Sequence, residues 1–393
     1  MKSFVCLIIA CSLAFQFPDV DDGLSSPVFC ENDEHFRSQL LPTHFLTSYN
    51  IESNGYLLKI FRVRKSSSEP AFKRVILFSH GIFDSADQWL LNRENSIAYK
   101  LLEVNYDLFF MNFRGNKFSC RHTSIEPSSA PFWDYSFQEM AEQDLKNIVN
   151  FIIKETGVES IQIIAHSQGT TATFAFLSTY PELRPRVSKF IAIAPVVYLY
   201  GFKGRGDYYY WAATHNFIAI LQKMGIQHLF TTSWNFDWIT DKIIRSFCSY
   251  LRGICEFIVS KFINKDSKEI NFDILANYLQ HFPSRSSLRS LDHFGQLIAQ
   301  EKKELTKFDF GTERNMKEYG QSTPPSYDIS SINIPIILYA GGLDLFSPED
   351  NSRYLQSVLP NSKLNFVPNW GHIEWFVGKD REAFVQDVLR NIG

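Results

Sequence analysis

Seven short runs rich in Val, Ile, Leu and Phe recur along this chain, and several of them are apolar without interruption. A strand with one wet face alternates polar and apolar side chains, whereas a strand covered on both faces has no reason to. The runs are Tyr56 to Val63, Val75 to Ser79, Leu108 to Asn112, Ile161 to Ala165, Lys189 to Val196, Ile336 to Ala340 and Leu364 to Val367. Helical patterns lie between them. Ser136 opens one, with Glu139 three residues on in a Ser-x-x-Glu capping box. Strands buried on both faces and separated by helices predict an α/β fold with a mostly parallel sheet and right-handed crossovers.

The pattern changes near Tyr198. From there to about Ser326 no buried-strand run appears, and apolar residues follow helical spacing, as in Ile239, Ile243, Phe247, Leu251, Ile254, Ile258 and Phe262. Strand signals resume at Ile336. The expected organisation is an α/β core over residues 15–197 and 327–393, interrupted by a helical insertion over 198–326 that caps it before the last strands. The 393-residue length accommodates one large domain with such an insertion.

The first residues predict export. Met1-Lys2 is a positive start, Phe4 to Phe15 is a short apolar run, and Ser12-Leu13-Ala14 offers the small residues of a cleavage site, so residues 1–14 read as a signal peptide. The run is shorter than the roughly 20 apolar residues of a membrane span, and no later stretch is long and charge-free enough to be one. A secreted or lysosomal fate follows. Cys30, Cys120, Cys248 and Cys255 remain after cleavage, and an exported protein can pair them; their spacing does not suggest a zinc site. The formal net charge of −3 removes the basic excess that nucleic-acid binding requires. Aromatic residues make up 15% of the chain, 36 of them phenylalanine, which fits a large core or an apolar cavity.

The strongest chemical signal is Ala165-His166-Ser167-Gln168-Gly169. It follows a buried strand and precedes a helix through Phe174 and Leu177, the strand-turn-helix setting of a nucleophile elbow. So tight a turn demands small residues two positions either side of the serine. Gly169 meets this, and Ala165 adds one methyl where glycine is usual. The elbow exposes the Ser167 hydroxyl and leaves the Gln168 N–H at a helix N-terminus, aimed to bind an oxyanion. A serine hydroxyl needs a base. In α/β-hydrolase chain order the acid comes next and the histidine last. His372 is the last of ten histidines and follows the strand at Leu364–Val367. Asp344, in Gly341-Gly342-Leu343-Asp344 directly after Ile336–Ala340, is the expected acid; Asp350, which opens a helix pattern, and Glu374, two residues from His372, are the competitors. His80-Gly81-Ile82 after Val75–Ser79 supplies the second oxyanion donor, the Ile82 N–H, with His80 itself structural. Serine, histidine, acid and two N–H groups suffice for acyl transfer, so neither cofactor nor metal is expected.

These motifs resemble those of the acid lipases, the family of gastric and lysosomal acid lipases, over nearly the whole chain after residue 14. The resemblance is carried by Tyr49-Asn50-Ile51-Glu52, Asn54-Gly55-Tyr56, His80-Gly81 with Ser85-Ala86 and Trp89, and Phe132-Trp133 before Ser136-Phe137-Gln138-Glu139-Met140-Ala141 with Asp144-Leu145. Asn112-Phe113-Arg114-Gly115-Asn116 is similar to the family's N-S-R-G-N, the elbow A-H-S-Q-G-T-T to G-H-S-Q-G-T-T, and Gly371-His372-Ile373-Glu374-Trp375 stands where the family has N-H-L-D-F. The resemblance implies an acid-tolerant lipase, working through an acyl-enzyme on Ser167 beneath a helical cap and hydrolysing triacylglycerols or sterol esters at a lipid–water interface. A monomer is expected. A base that takes the Ser167 proton must be uncharged, and burial of His372 under the cap would keep it so in acid. Trp234, Phe236, Trp238, Phe247 and Phe257 are candidates to line an apolar tunnel. The family pattern also implies a Cys248–Cys255 pair. Seven residues of straight helix would hold those two about 10 Å apart, beyond the roughly 7 Å limit for a disulfide, so pairing requires a break, expected at Gly253. A short-chain esterase, a phospholipase, an acyltransferase and a catalytically inactive lipid-binding protein remain as alternative readings of the same residues.

Overall fold

A computed structural model describes residues 30–65, 74–199, 218–229, 268–279, 281–300 and 302–393. The leader at 1–14, the tunnel candidates between Trp234 and Phe257, the helical run from Ile239 to Phe262, and Cys248, Gly253 and Cys255 lie outside the described residues.

The strands are β1 (Phe45–Ser53), β2 (Tyr56–Arg64), β3 (Val75–Ser79), β4 (Asp107–Met111), β5 (Arg121–His122), β6 (Ile161–His166), β7 (Val187–Ile193), β8 (His228–Leu229), β9 (Ser286–Ser287), β10 (Ile336–Gly341) and β11 (Ser362–Val367). One sheet runs in the order β1-β2-β4-β3-β6-β7-β10-β11, with β5 paired to β2. The pairings β1–β2, β2–β4 and β2–β5 are antiparallel, and from β4 through β11 every neighbour is parallel. The expected α/β class is therefore the one the chain adopts.

Alternate residues of each central strand feed two separate cores. Leu77, Phe109, Ile163, Phe190 and Leu338 pack on one face, together with Ile148, Val149 and Ile152 of the helix Lys146–Thr156 and Phe174 and Leu177 of the helix Gln168–Thr179. Ile76, Phe78, Leu108, Phe110, Ile164 and Ile191 pack on the other, against Leu101 and Leu102 of the helix Ile97–Glu103 and Val385 and Val388 of the helix Glu382–Ile392. This is why β3 and β4 are buried at every position. Each such side chain contributes about 1.5–3 kcal/mol by leaving water.

Ser136 and Glu139 form the reciprocal capping box. The apolar spacing after it predicts one uninterrupted helix; instead a π-helical stretch, Met140–Leu145, separates Phe137–Glu139 from Lys146–Thr156. Two more points differ from expectation. β1 is a strand that the apolar runs do not predict, because FLTSYNIES at the sheet edge keeps one polar face. Within 198–326, besides the helices Phe272–Tyr278, Leu288–Ala299 and Thr312–Tyr319, β8 and β9 form a small antiparallel ribbon. Cys30 and Cys120 are disulfide-bonded, tying the start of the described chain to the loop after β4. No helix among the described residues is long and apolar enough to cross a membrane.

Candidate active site

Parallel strands end together, so the loops after β3, β6, β10 and β11 meet at one edge of the sheet. Those loops carry Gly81–Ser85, Ser167, Asp344 and His372.

Ser167 stands between β6 and the helix Gln168–Thr179 with φ 52° and ψ −123°. A serine in the left-handed half of the map is strained. Its N–H donates to the Ile193 carbonyl (3.1 Å), and its carbonyl accepts from Thr170 and Thr171. The space around it explains the glycine requirement. A Cβ on Gly169 would lie 2.6 Å from the Ser79 carbonyl oxygen and 2.7 Å from that of His80. Ala165, by contrast, is accommodated in the buried end of β6.

His372 lies with Nδ1 2.9 Å from Asp344 Oδ2 and Nε2 2.8 Å from Ser167 Oγ. The other Asp344 oxygen, Oδ1, accepts from the N–H groups of Phe346 (2.7 Å) and Ser347 (2.9 Å). The carboxylate is fully buried and its oxygens are both engaged, which fixes its plane. With Nδ1 donating to the carboxylate, Nε2 is left as the acceptor for the Ser167 hydroxyl. The competitors for the acid role sit differently. Asp350 is exposed in the first turn of the helix Glu349–Val358, whose N-cap is Pro348. Glu374 is buried and starts the short helix Glu374–Val377.

The Gln168 N–H begins its helix and therefore has no partner inside it. Neither it nor the Ile82 N–H is hydrogen-bonded to a described residue. Gly81 lets the Ile82 loop approach: a Cβ there would meet Ser167 Cβ at 3.2 Å.

Two histidines beside the site have jobs that the sequence did not reveal. His80 Nδ1 donates to the Gly81 carbonyl (2.8 Å), and Nε2 accepts from the Phe113 N–H (3.1 Å), stitching the Ile82 loop to the loop after β4. Burial pushes its imidazole down to about 4, which keeps Nε2 an acceptor. His166 Nε2 donates to the His372 carbonyl (3.1 Å) and so holds the backbone that carries the last member of the trio. Burial, and then the neighbouring His372, hold the His166 imidazole well below the usual range. Arg114 of the N-F-R-G-N segment forms a bidentate buried pair with Asp144 and lies over the Tyr56 ring, 4.3 Å from its centroid.

Among the described residues one group has metal-ligand chemistry: His35, Asp87 and His281, with ligand atoms within 4.8 Å of one another. Lys117 Nζ, however, lies 2.5 Å from Asp87 Oδ2. Burial works to raise the Asp87 carboxyl, but Lys117 together with His35 and His281 outweighs it and holds the group far below the carboxylate range. An ammonium thus already neutralises the carboxylate that a metal ion would need.

Comparison with known proteins bears on the family and the fold. Residues 74–229 match the family model of the alpha/beta hydrolase fold. Lipase member N of Mus musculus is 30% identical over 95% of this chain and 93% of its own length. Gastric triacylglycerol lipase of Homo sapiens is 32% identical over 87% of this chain and 86% of its own. Among solved structures, an epoxide hydrolase from Bacillus megaterium matches with a TM-score of 0.50 at 15% identity, covering 88% of this chain and 99% of that one, a likeness of fold alone. On the strength of its lipase relatives and its fold, the chain belongs to the acid lipase family of α/β hydrolases.

Proposed function

We propose that this protein hydrolyses lipid esters through an acyl-enzyme on Ser167. The observation that carries the reading is the continuous path from Asp344 through His372 to Ser167, 2.9 Å and then 2.8 Å, ending on a serine in a strained turn at the edge of the sheet.

His372 takes the Ser167 proton as the oxygen attacks the ester carbonyl, and the resulting imidazolium is stabilised by Asp344. The negative oxygen of the tetrahedral intermediate is received by the N–H groups of Ile82 and Gln168, a pair of donors that gain strength as charge develops. His372 then returns the proton to the departing alcohol. Water repeats the sequence and releases the fatty acid.

The substrate class is inferred from the relatives, which include a gastric triacylglycerol lipase; neutral lipid esters with long acyl chains at a lipid–water interface are the reading. Residues 198–326 are assigned as a cap over the site, between core segments 15–197 and 327–393. Export to a secreted or lysosomal compartment is supported by the apolar leader at 1–14 and by the Cys30–Cys120 disulfide.

The test is hydrolysis of esters of graded acyl length at pH 5 and pH 7.5 by the wild type and Ser167→Ala. Long-chain activity at pH 5 that is lost in the variant is expected. Short-chain preference at neutral pH would make the protein a general esterase, and equal rates for the two proteins would refute the assignment of Ser167.

A further inference from the structure

The Ile82 loop is strained where it matters. Phe83, the residue after the proposed oxyanion donor, has φ 58°, a value an L residue with a bulky side chain rarely holds. Such a conformation persists only when its surroundings impose it. Here the imposing contacts come from the cap. The Ser284 N–H donates to the Phe83 carbonyl (2.6 Å), and the Tyr278 hydroxyl lies 2.6 Å from Asp84 Oδ2. Within the loop, the Asp84 N–H closes onto the Gly81 carbonyl (3.3 Å), and Asp84 Oδ1 accepts from the Ser85 N–H (2.8 Å). Asp84 is thus the point where a side chain of the cap grips the turn that carries Ile82.

Asp84 is buried, as is Asp87 three residues on. The two carboxyls are treated in opposite ways. Asp87 has Lys117, His35 and His281 around it and stays ionised. Asp84 faces the Tyr278 hydroxyl from the helix Phe272–Tyr278, the more distant Lys117 from the loop after β4, and the negative Asp87 on its own loop. Among the described residues no cation reaches it as Lys117 reaches Asp87.

We propose that Asp84 is a positioning residue for ester hydrolysis, and that its join to Tyr278 holds the Ile82 N–H where the developing oxyanion needs it. The inference rests on the reading of Ile82 as an oxyanion donor. The ionised group accepts from Tyr278 and Ser85, and both bonds favour the charge. The neutral group still accepts from Ser85, and its own O–H donates to the Tyr278 oxygen, which turns the Tyr278 O–H away from it.

Burial, with Asp87 adding to it, raises the Asp84 carboxyl to about 7, against the opposing pulls of Tyr278, Ser85 N–H and Lys117. A carboxyl raised on folding favours the folded arrangement in acid. That contribution is complete below the unfolded value near 4, and it is lost as pH rises through about 7. Ionisation leaves a buried charge that gains by reaching water, and the grip on the loop loosens. The oxyanion site is thereby matched to an acidic compartment by a residue outside the Ser167, His372 and Asp344 path.

The test compares kcat and KM from pH 5 to 8.5 for the wild type, Asp84→Asn, Asp84→Leu and Tyr278→Phe, with melting temperatures to verify folding. Asparagine copies the neutral acid, since its oxygen accepts from Ser85 and its NH2 donates to Tyr278. One pH unit above its titration point about nine-tenths of a carboxyl is ionised. The ratio of kcat at pH 8 to kcat at pH 5 should therefore be as much as about tenfold higher in Asp84→Asn than in the wild type. Tyr278→Phe and Asp84→Leu should lower kcat at pH 5 by about tenfold, less than the 10² to 10³ lost when a donor is removed outright, with KM within about twofold. A pH profile of Asp84→Asn that superimposes on the wild type would overturn the proposal, as would a Tyr278→Phe defect confined to KM. Ser167→Ala run in parallel separates the two levels: full activity in that variant would defeat the underlying site assignment, whereas its inactivity beside a wild-type profile for Asp84→Asn defeats only the role of Asp84.

Discussion

Replacing Asp344 with asparagine exchanges one carboxylate oxygen for an NH2, and the surrounding hydrogen bonds dictate which one. Asp344 Oδ1 receives two backbone N–H groups, from Phe346 and Ser347. An asparagine must keep its oxygen there, because an NH2 facing two donors would leave three buried polar groups unsatisfied. The NH2 is then forced toward His372 Nδ1. It can only donate, so Nδ1 must become the acceptor and the ring proton must move to Nε2, which lies 2.8 Å from Ser167 Oγ. A protonated Nε2 cannot take the serine proton. Loss of the imidazolium's counter-charge adds to the wrong tautomer. In the Ser-His-Asp template the same change lowers kcat about 10⁴-fold, or about 5.5 kcal/mol of barrier at 1.36 kcal/mol per decade. Stability should barely move, because shape and backbone contacts are kept. The assay is kcat for a soluble ester together with a thermal melt. Asp344→Asn retaining more than about a tenth of wild-type kcat, with an unchanged melt, would refute the reasoning, since it would mean that the His372 tautomer is set elsewhere.

Three further outcomes rest on particular contacts. In Gly169→Ala the new methyl meets backbone oxygens of Ser79 and His80 at 2.6 and 2.7 Å; relief requires shifting β3 or the helix start, so a loss of about 1–3 kcal/mol of stability and at least a tenfold fall in kcat are expected, measured by melting and ester turnover. Removing the Cys30–Cys120 bridge, which spans 90 positions, with a double serine variant should cost about 2–5 kcal/mol, read from denaturant midpoints. His293 is buried and pushed down to about 3 by that burial, so the unfolded chain takes up a proton below about pH 6.5 that the folded chain refuses; its stability contribution is complete above that pH and falls as pH drops toward 3. His293→Gln should flatten the decline of the melting temperature between pH 6.5 and 4, and an unaltered slope would contradict this.

The central strands are legible in the sequence because burial on both faces leaves no polar positions to hide the pattern; Val75–Ser79 matches its apolar run at both ends, and Ile161–His166 and Ile336–Gly341 match theirs within one residue. β1 escapes because a half-wet edge strand such as FLTSYNIES has little apolar continuity. That Ser167, Asp344 and His372 come together is foreseeable from sequence because each lies in a loop that follows a strand, and parallel strands deliver their ends to one place. Contacts made by tertiary packing have no such local trace. The His166–His372 hydrogen bond joins positions 206 apart, and the Tyr278–Asp84 bond joins positions 194 apart. Each depends on where two loops come to rest, which no periodicity encodes. Asp84 in particular reads as an ordinary turn residue. The π-helical stretch after Glu139 is equally silent, since its sequence is apolar at helical spacing.

The most direct test of the account is to quench the enzyme in acid during steady-state turnover of a long-chain ester and to map the acylated residue by peptide mass spectrometry. The account predicts a fatty-acyl mass on the peptide containing Ser167, building up in a burst equal to the enzyme present and absent from Ser167→Ala. An acyl group on any other residue, or turnover persisting in Ser167→Ala, would contradict it.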